Sequence, residues 1–401
     1  MAEQKQATYL TERLRTIATY YQQGDVQLGF RRMMDVAIDT NNTPLFHEMI
    51  EHTDWLENTE ASAEEHWTKA AVLLAKIEKA GVGTIKEIDS DILDAIDVQK
   101  SYKNGVFTLG PVNISLKRGA LLGLVGENGN GKTTLLRILA QELRHDSGTV
   151  AYHFPKSNIQ YDLRSQLAYI PQRTPKWHGS LKDNLKFTLA SYGIKGDDNV
   201  ARVLMIIARM GLWKYRALNW DQLSSGYKMR FELARTFLRC PDILLLDEPL
   251  ANLDVLAQQL ILEDLRSLAN SLSQPMGVVL SSQQLYEVEK VSDKVLFLKN
   301  GTPMLQDNRT SVTADNSEIK EQKEAPQELI VEFDSEAGRD HLQAALGTLP
   351  LQKLSFNGGT YIAYFDEPTT MPQVLTALGN GNINVIYIRN ISKSTRRYFV
   401  S

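Results

Sequence analysis

Two stretches carry residues whose types and spacing can handle phosphate. The first, Gly126-Glu127-Asn128-Gly129-Asn130-Gly131-Lys132-Thr133, fits G-x-x-x-x-G-K-[ST] between an apolar run and the helical Thr134-Leu135-Leu136. Glycines let backbone N–H groups turn inward around phosphate oxygens, and a helix starting there adds its unpaired donors. Lys132 can reach the β- and γ-phosphates of a nucleotide, and the Thr133 hydroxyl can be offered to Mg²⁺. In the second, Asp247-Glu248 follows Ile243-Leu244-Leu245-Leu246, which places both carboxylates at the carboxyl end of a buried strand. Ligands gather at that edge in open α/β sheets. Asp247 is suited to hold Mg²⁺, and Glu248 to polarise or orient an attacking water. A chance glycine turn, or a carboxylate that only caps a helix, are the bland alternatives. Both motifs on one chain, with the first in strand–loop–helix context, set them aside.

A third stretch, Leu223-Ser224-Ser225-Gly226-Tyr227, is a serine-rich turn with a glycine that opens the helical segment leading to the Asp247 strand. Its pairing with a phosphate loop suggests two nucleotide sites assembled between two such domains, and hence an ATP-driven mechanical device.

The elements that must position these groups change character along the chain. Residues 1–90 read as an all-α domain. Tyr9-Leu10, Leu14 and Ile17, then Phe30, Met33-Met34 and Val36-Ala37, then Leu45-Phe46 and Ile50 recur at helical spacing. Ala63 to Ala80 repeats the pattern through Trp67, Ala70, Leu73-Leu74 and Ile77, and turn chemistry breaks the helices at Gln23-Gly24-Asp25 and Asn41-Asn42-Thr43-Pro44. Nothing in this region looks catalytic, so a packed bundle used for partner docking is expected. Residues 91–305 alternate apolar strands with amphipathic helices, the pattern of a mostly parallel sheet covered on both faces. Residues 306–326 have linker composition. Residues 327–401 run β-α-β-β-α-β, the ferredoxin-like order, with its last strand expected at Ile383 to Arg389.

Composition narrows the function classes. The 401 residues include 44 basic and 48 acidic ones, a net charge of −4, so no global positive field points to nucleic acid. No apolar run approaches the ~18 residues of a membrane span, and the N-terminal residues lack a signal-peptide pattern. The single cysteine, Cys240, cannot form an internal disulfide and is expected to be a buried structural residue in a reducing compartment. A cytoplasmic protein is expected.

From about Leu93 to Thr302 the chain resembles the ATPase subunit of ATP-binding cassette (ABC) transporters, with all the usual motifs in order. The expected fold is therefore multi-domain α/β: a P-loop NTPase of the ABC type, with an N-terminal all-α domain and a C-terminal ferredoxin-like α+β domain. The resemblance implies ATP and Mg²⁺ as ligands. Asn128, Gly129, Asn130, Gly131, Lys132, Thr133 and Thr134 form the phosphate-binding group, and Tyr102 matches the aromatic that stacks on adenine. Gln172, in Ala168-Tyr169-Ile170-Pro171-Gln172, matches the glutamine that contacts Mg²⁺ and the attacking water, and it starts the region facing a membrane subunit. Ser224, Ser225 and Gly226 match the signature that binds the γ-phosphate held by an opposite subunit. Ala251-Asn252-Leu253-Asp254 matches the loop that touches that subunit.

Three departures stand out. The usual signature is Leu-Ser-Gly-Gly-Gln; here Ser225 replaces the first glycine and Tyr227 the glutamine, with room to pack on a partner or on the helical subdomain. Gln283, in Ser281-Ser282-Gln283, stands where the family has a histidine that grips the γ-phosphate. A glutamine amide donates a hydrogen bond but cannot become a cation, so slow but real hydrolysis is expected, with Glu248 as the retained base.

The leading expectation is the ATP-hydrolysing motor of a transporter, a homodimer or heterodimer of ATPase subunits working on a separate transmembrane permease at the inner face of the membrane. The tail Ile391-Ser392-Lys393-Ser394-Thr395-Arg396-Arg397-Tyr398-Phe399 is similar to exporter-type subunits, which favours export. Residues 1–90 are expected to dock an extra protein partner, with no direct nucleic-acid contact. Soluble ABC ATPases of ribosomes or DNA carry two cassettes or a coiled-coil insertion, neither found here. The alternative is a slow or regulatory soluble ABC ATPase that presents its N-terminal domain to a protein partner.

Overall fold

The computed structural model describes residues 2–82, 86, 88–102, 107–154, 162–307, 329–357 and 359–392. It divides into two compact units, residues 1–308 and 309–401. The expected linker at 306–326 falls almost wholly outside the described residues, as does the tail beyond Ser392.

In the first unit, helix α1 (Ala2–Gln22) is followed by α2 (Val26–Asp39), α3 (Thr43–Asn58) and α4 (Ala63–Ala80), which begin where capping chemistry allows. The side chains of Asp25 and Asn42 accept from the N–H groups of Leu28 and Leu45, and Ser62 with Glu65 forms a reciprocal capping box. A small antiparallel sheet follows, of β1 (Asp91–Ser101), β2 (Thr108–Lys117) and β4 (Ser147–Tyr152), in the order β2-β1-β4. Strand β3 (Leu121–Val125) leads through the glycine-rich loop into α5 (Lys132–Leu139). After α6 (Asp162–Gln166) and β5 (Leu167–Ile170), a helical arm is formed by α7 (Leu181–Ser191), α8 (Gly196–Arg209) and α9 (Ser225–Phe237). The chain then returns through β6 (Ile243–Leu246), α10 (Val255–Ala269), β7 (Gly277–Ser282), α11 (Leu285–Val291), β8 (Lys294–Lys299) and β9 (Thr302–Asp307).

The main sheet has the order β5-β6-β7-β3-β8-β9 and is parallel except for β9. Every residue of β3, β6 and β7 is buried, as expected of strands covered on both faces. The sheet continues to Asp307, just past the end expected at 305, because β9 pairs with β8 as far as that residue. Register brings the carboxyl ends together: Val125 lies opposite Ser282, and Leu246 opposite both Ile170 and Leu280.

One hydrophobic cluster runs from Ile17, Met33, Phe46 and Ile77 of the N-terminal helices into Val203, Leu244 and Val278 of the cassette. The two regions therefore share a core. Polar contacts reinforce it. Arg209 of α8 pairs with Asp35 of α2 (2.6 Å) and Asp264 of α10 (2.6 Å), and Arg31 of α2 pairs with Asp264. Burial alone would raise the Asp35 carboxyl, but Arg209, Arg32 and hydrogen bonds from Arg209 and Ser267 hold it down to about 2. Asp39 accepts from Ser271 Oγ (2.6 Å) and the Leu272 N–H (3.0 Å) just beyond α10.

The second unit contains β10 (Leu329–Asp334), α12 (Arg339–Leu346), β11 (Leu351–Asn357), β12 (Thr360–Phe365), α13 (Met371–Asn380) and β13 (Tyr387–Asn390). Its sheet is antiparallel throughout, in the order β11-β12-β10-β13, and Val331, Phe333, Ala363 and Phe365 pack with Leu342, Leu346, Val374 and Leu378 of the helices. The last strand starts at Tyr387, four residues later than expected, because Ile383 packs into the core before pairing begins.

Candidate nucleotide site

The glycine-rich loop leaves β3 at Gly126 and enters α5 at Lys132. Gly129 and Gly131 adopt φ values of 84° and 98°, and a Cβ on Gly131 would come within 2.9 Å of Phe107 Cζ. Glycine is required there by both backbone and space. Asn130 anchors the loop to the β8–β9 turn: its Nδ2 donates to Leu298 O (3.1 Å) and its Oδ1 accepts from the Asn300 N–H (3.2 Å). Beside it opens a cleft of about 530 Å³ whose lining includes Phe107, Thr108, Gly129, Asn130 and Asn300. Asn128 is exposed within the loop.

Lys132 is buried, and its Nζ donates to Gly126 O (2.6 Å) and Glu127 O (3.1 Å). It also lies 3.0 Å from Glu248 Oε1, a close ion pair without hydrogen-bond alignment. Asp247 and Glu248 are both buried at the end of β6, and Glu248 has φ 50°, outside the range favoured by a residue with a side chain. Asp247 Oδ1 accepts from Ser281 Oγ (2.9 Å) and Oδ2 from Tyr169 OH (3.4 Å). Burial, with the Asp247 charge adding to it, pushes the Tyr169 phenol well above its ordinary range. Thr133 is exposed on the first turn of α5, and Thr134 Oγ1 lies 3.3 Å from Tyr102 OH. The Tyr102 ring is 44% exposed and tilted against Phe107 at 6.4 Å, which leaves aromatic surface for a planar ligand. Gln172 and Gln283 are exposed just past β5 and β7, at the same sheet edge.

The serine-rich turn belongs to the arm. Ser224 caps α9, its Oγ accepting from the Tyr227 N–H at 3.4 Å. Ser225 Oγ donates to Asn252 O (3.0 Å), so the side chain that replaces glycine ties the turn to the loop after Glu248. Asn252 itself has φ 62°. Tyr227 packs within its own arm, its ring centroid 4.0 Å from that of Tyr215 and the Arg230 guanidinium 5.6 Å from it. Asp254 caps α10 by accepting from the Ala257 N–H at 2.8 Å.

Residues 109–251 match the family profile described as ABC transporter. The phosphate import ATP-binding protein PstB of Saccharolobus solfataricus is 33% identical over 215 residues, spanning 50% of this chain and 82% of that protein. The chain belongs to the ATP-binding proteins of ABC transporters. It is accordingly an ABC ATPase. The spermidine/putrescine import ATP-binding protein PotA of Mesoplasma florum is 32% identical and aligns over 54% of this chain and 61% of its own length. Among solved structures, cbiO1 of Clostridium perfringens, part of the ABC transporter complex cbiONQ, superposes with a TM-score of 0.50 at 25% identity, over 55% of this chain and 89% of that one.

Two residues at this ABC site have no role in the motif reading. Ser281 is the next-to-last residue of a buried strand, beside Asp247, and Tyr169 precedes the glutamine on the other side. A polar residue near the end of a buried strand next to a strand-end carboxylate is the signal that would have found Ser281. Cys240 departs from expectation. The residue is exposed at a left-handed turn (φ 49°), yet its thiol donates to Phe237 O at 3.4 Å and burial raises its pKa. No helix of the described residues is long and apolar enough to cross a membrane.

Proposed function

We propose that two copies of this chain, or this chain and a related subunit, close around two ATP molecules and drive a separate transmembrane permease from the inner membrane face. The observation that carries this reading is the convergence of Lys132, Asp247 and Glu248 at one sheet edge, with the serine-rich turn held on a different arm. Gly226 supports it. Its φ is not left-handed, and a Cβ there would meet only ordinary contacts, the nearest Ala257 at 3.8 Å. Nothing inside the chain demands glycine there, whereas a partner's nucleotide approaching the backbone would.

In this reading Asn128 to Thr134 cradle the phosphates, Tyr102 stacks on the base, and Ser224, Ser225 and Gly226 meet the nucleotide of the partner. Thr133, Asp247 and Gln172 offer only oxygen donors, the set that suits Mg²⁺. A carboxylate has about four lone-pair positions, so Asp247 retains capacity beyond Ser281 and Tyr169. The ion, when bound, would neutralise charge on the β- and γ-phosphates. Lys132 exchanges the carbonyls and Glu248 for phosphate oxygens, which frees Glu248 to accept a proton from the attacking water. Gln283 donates a neutral hydrogen bond to the γ-phosphate in place of a cationic one, which slows turnover.

The relatives named above carry import in their names, while the export reading rests on the segment 391–399, of which 393–399 lies outside the described residues. The mechanism proposed here applies to either direction. The β-α-β-β-α-β order of the second unit is taken as ferredoxin-like, and an additional protein partner is assigned to the surface of α1–α4, where Tyr9 and Val72 are exposed. The test is light scattering of Glu248→Gln with ATP and Mg²⁺, followed by copurification of the intact chain from membranes. An ATP-dependent dimer and a hydrophobic membrane companion are expected. A monomer in saturating ATP would favour the regulatory alternative instead.

A further inference from the structure

The catalytic strand β6 lies between β5 and β7, and each neighbour sends a hydroxyl to the carboxylate at its end. The backbone is fixed first, by the Asp247 N–H donating to Ile170 O at 2.9 Å. Ser281 Oγ then donates to Asp247 Oδ1 at 2.9 Å, and Tyr169 OH reaches Oδ2 at a longer 3.4 Å. The Ser281 hydroxyl also accepts from the Glu248 N–H at 2.9 Å. A serine hydroxyl has one proton and two lone pairs, so its proton is committed to Asp247 and a lone pair to Glu248. The side chain is fully buried, which removes water as a competitor for either bond.

This double contact falls where the backbone most needs it. Glu248 has φ 50°, a conformation an L-residue holds only when its surroundings over-determine it. That conformation carries its carboxylate to Lys132. One hydroxyl therefore sets the rotation of the metal-binding carboxylate and secures the strained backbone of the residue that activates water.

We infer that Ser281 is a positioning residue for the ATPase reaction, fixing Asp247 for its divalent cation and Glu248 for water activation, with Tyr169 as a weaker second restraint on Asp247. The inference rests on the roles proposed above for Asp247 and Glu248, and goes beyond them to a residue that has no role in the motif reading.

The test compares Ser281→Ala, Ser281→Thr and Tyr169→Phe with the parent chain. Mn²⁺ binding in the presence of a non-hydrolysable ATP analogue is followed by electron paramagnetic resonance, and kcat, KM for ATP and melting temperature are measured alongside. Ser281→Ala is expected to weaken Mn²⁺ binding about 5- to 10-fold and lower kcat about 10-fold or more, with KM for ATP nearly unchanged. Threonine, which keeps the hydroxyl, is expected to restore both, and Tyr169→Phe to weaken Mn²⁺ binding by about 2-fold. Unchanged Mn²⁺ affinity in Ser281→Ala overturns the inference, as does a kcat loss that merely follows a lowered melting temperature. If the parent chain itself shows no nucleotide-dependent Mn²⁺ binding, the proposed roles of Asp247 and Glu248 fail first, and the inference fails with them.

Discussion

Arg209 on α8 and Asp264 on α10 lie 2.6 Å apart, both without solvent exposure. The pair joins the helical arm directly to the cassette core, and α2 supplies the remaining charges, Asp35 to Arg209 and Arg31 to Asp264. Burial by itself would lower the Arg209 pKa, yet Asp264 and Asp35 more than offset that, so the guanidinium stays charged.

Removing one member should leave an uncompensated buried charge. Asp264→Ala is expected to cost about 3–5 kcal/mol of unfolding free energy. In a double-mutant cycle, Arg209→Met and Asp264→Leu together should cost less than the sum of the singles by about 1–3 kcal/mol. Urea denaturation of the four proteins measures this; strict additivity would show that the pair does not couple.

Glu248→Gln is expected to bind ATP with near-parent affinity while phosphate release falls about 10²- to 10⁴-fold, the usual contribution of a positioned base. Lys132→Ala should instead lose nucleotide binding. Equilibrium binding of a fluorescent ATP analogue separates the two outcomes.

The neutral Gln283 invites reversal. Gln283→His should raise turnover by up to about tenfold if a charged donor is what the site lacks. Ser225→Gly removes the bond to Asn252 as well as a side chain, so alone it should loosen the turn more than it quickens hydrolysis. A steady-state phosphate assay on both single variants and the double variant decides. A double variant no faster than the parent would count against the proposal that Gln283 and Ser225 slow turnover.

His52 gives a pH dependence of known sign. Desolvation first, then Lys69 and His66, lowers its pKa from 6.5 to about 4. The unfolded chain takes up a proton as pH falls below 6.5, whereas the folded one resists until about 4, so stability is complete above 6.5 and is lost through that window. By pH 5 the loss from this residue is about 2 kcal/mol. His52→Phe should flatten the difference between chemical denaturation at pH 7 and at pH 5 by that amount; an unaltered difference would show that other groups cause it.

What could be seen in the sequence followed the range of the interaction. The Gly126–Thr133 loop and the Asp247-Glu248 end of β6 are local patterns, and so are the helix breaks at Gly24 and Asn42, where capping groups sit. Arg209 and Asp35 are 174 residues apart, and each reads in isolation as a charge for a solvated helix face. The shared core between the N-terminal helices and the cassette was invisible for that reason. Tyr227 illustrates the same limit, since only the folded arm shows Tyr215 as the neighbour that absorbs its ring.

The contact of α2 with both α8 and α10 has a mechanical consequence. In a cassette whose arm and core are joined only through covalent connections, the arm can pivot freely. Here a pivot at the α8–α10 contact would have to drag Arg209, Asp35, Asp264 and Arg31 past one another out of reach of water. A load on the outer surface of the first four helices therefore meets α8 and α10 through buried charges rather than through flexible connections.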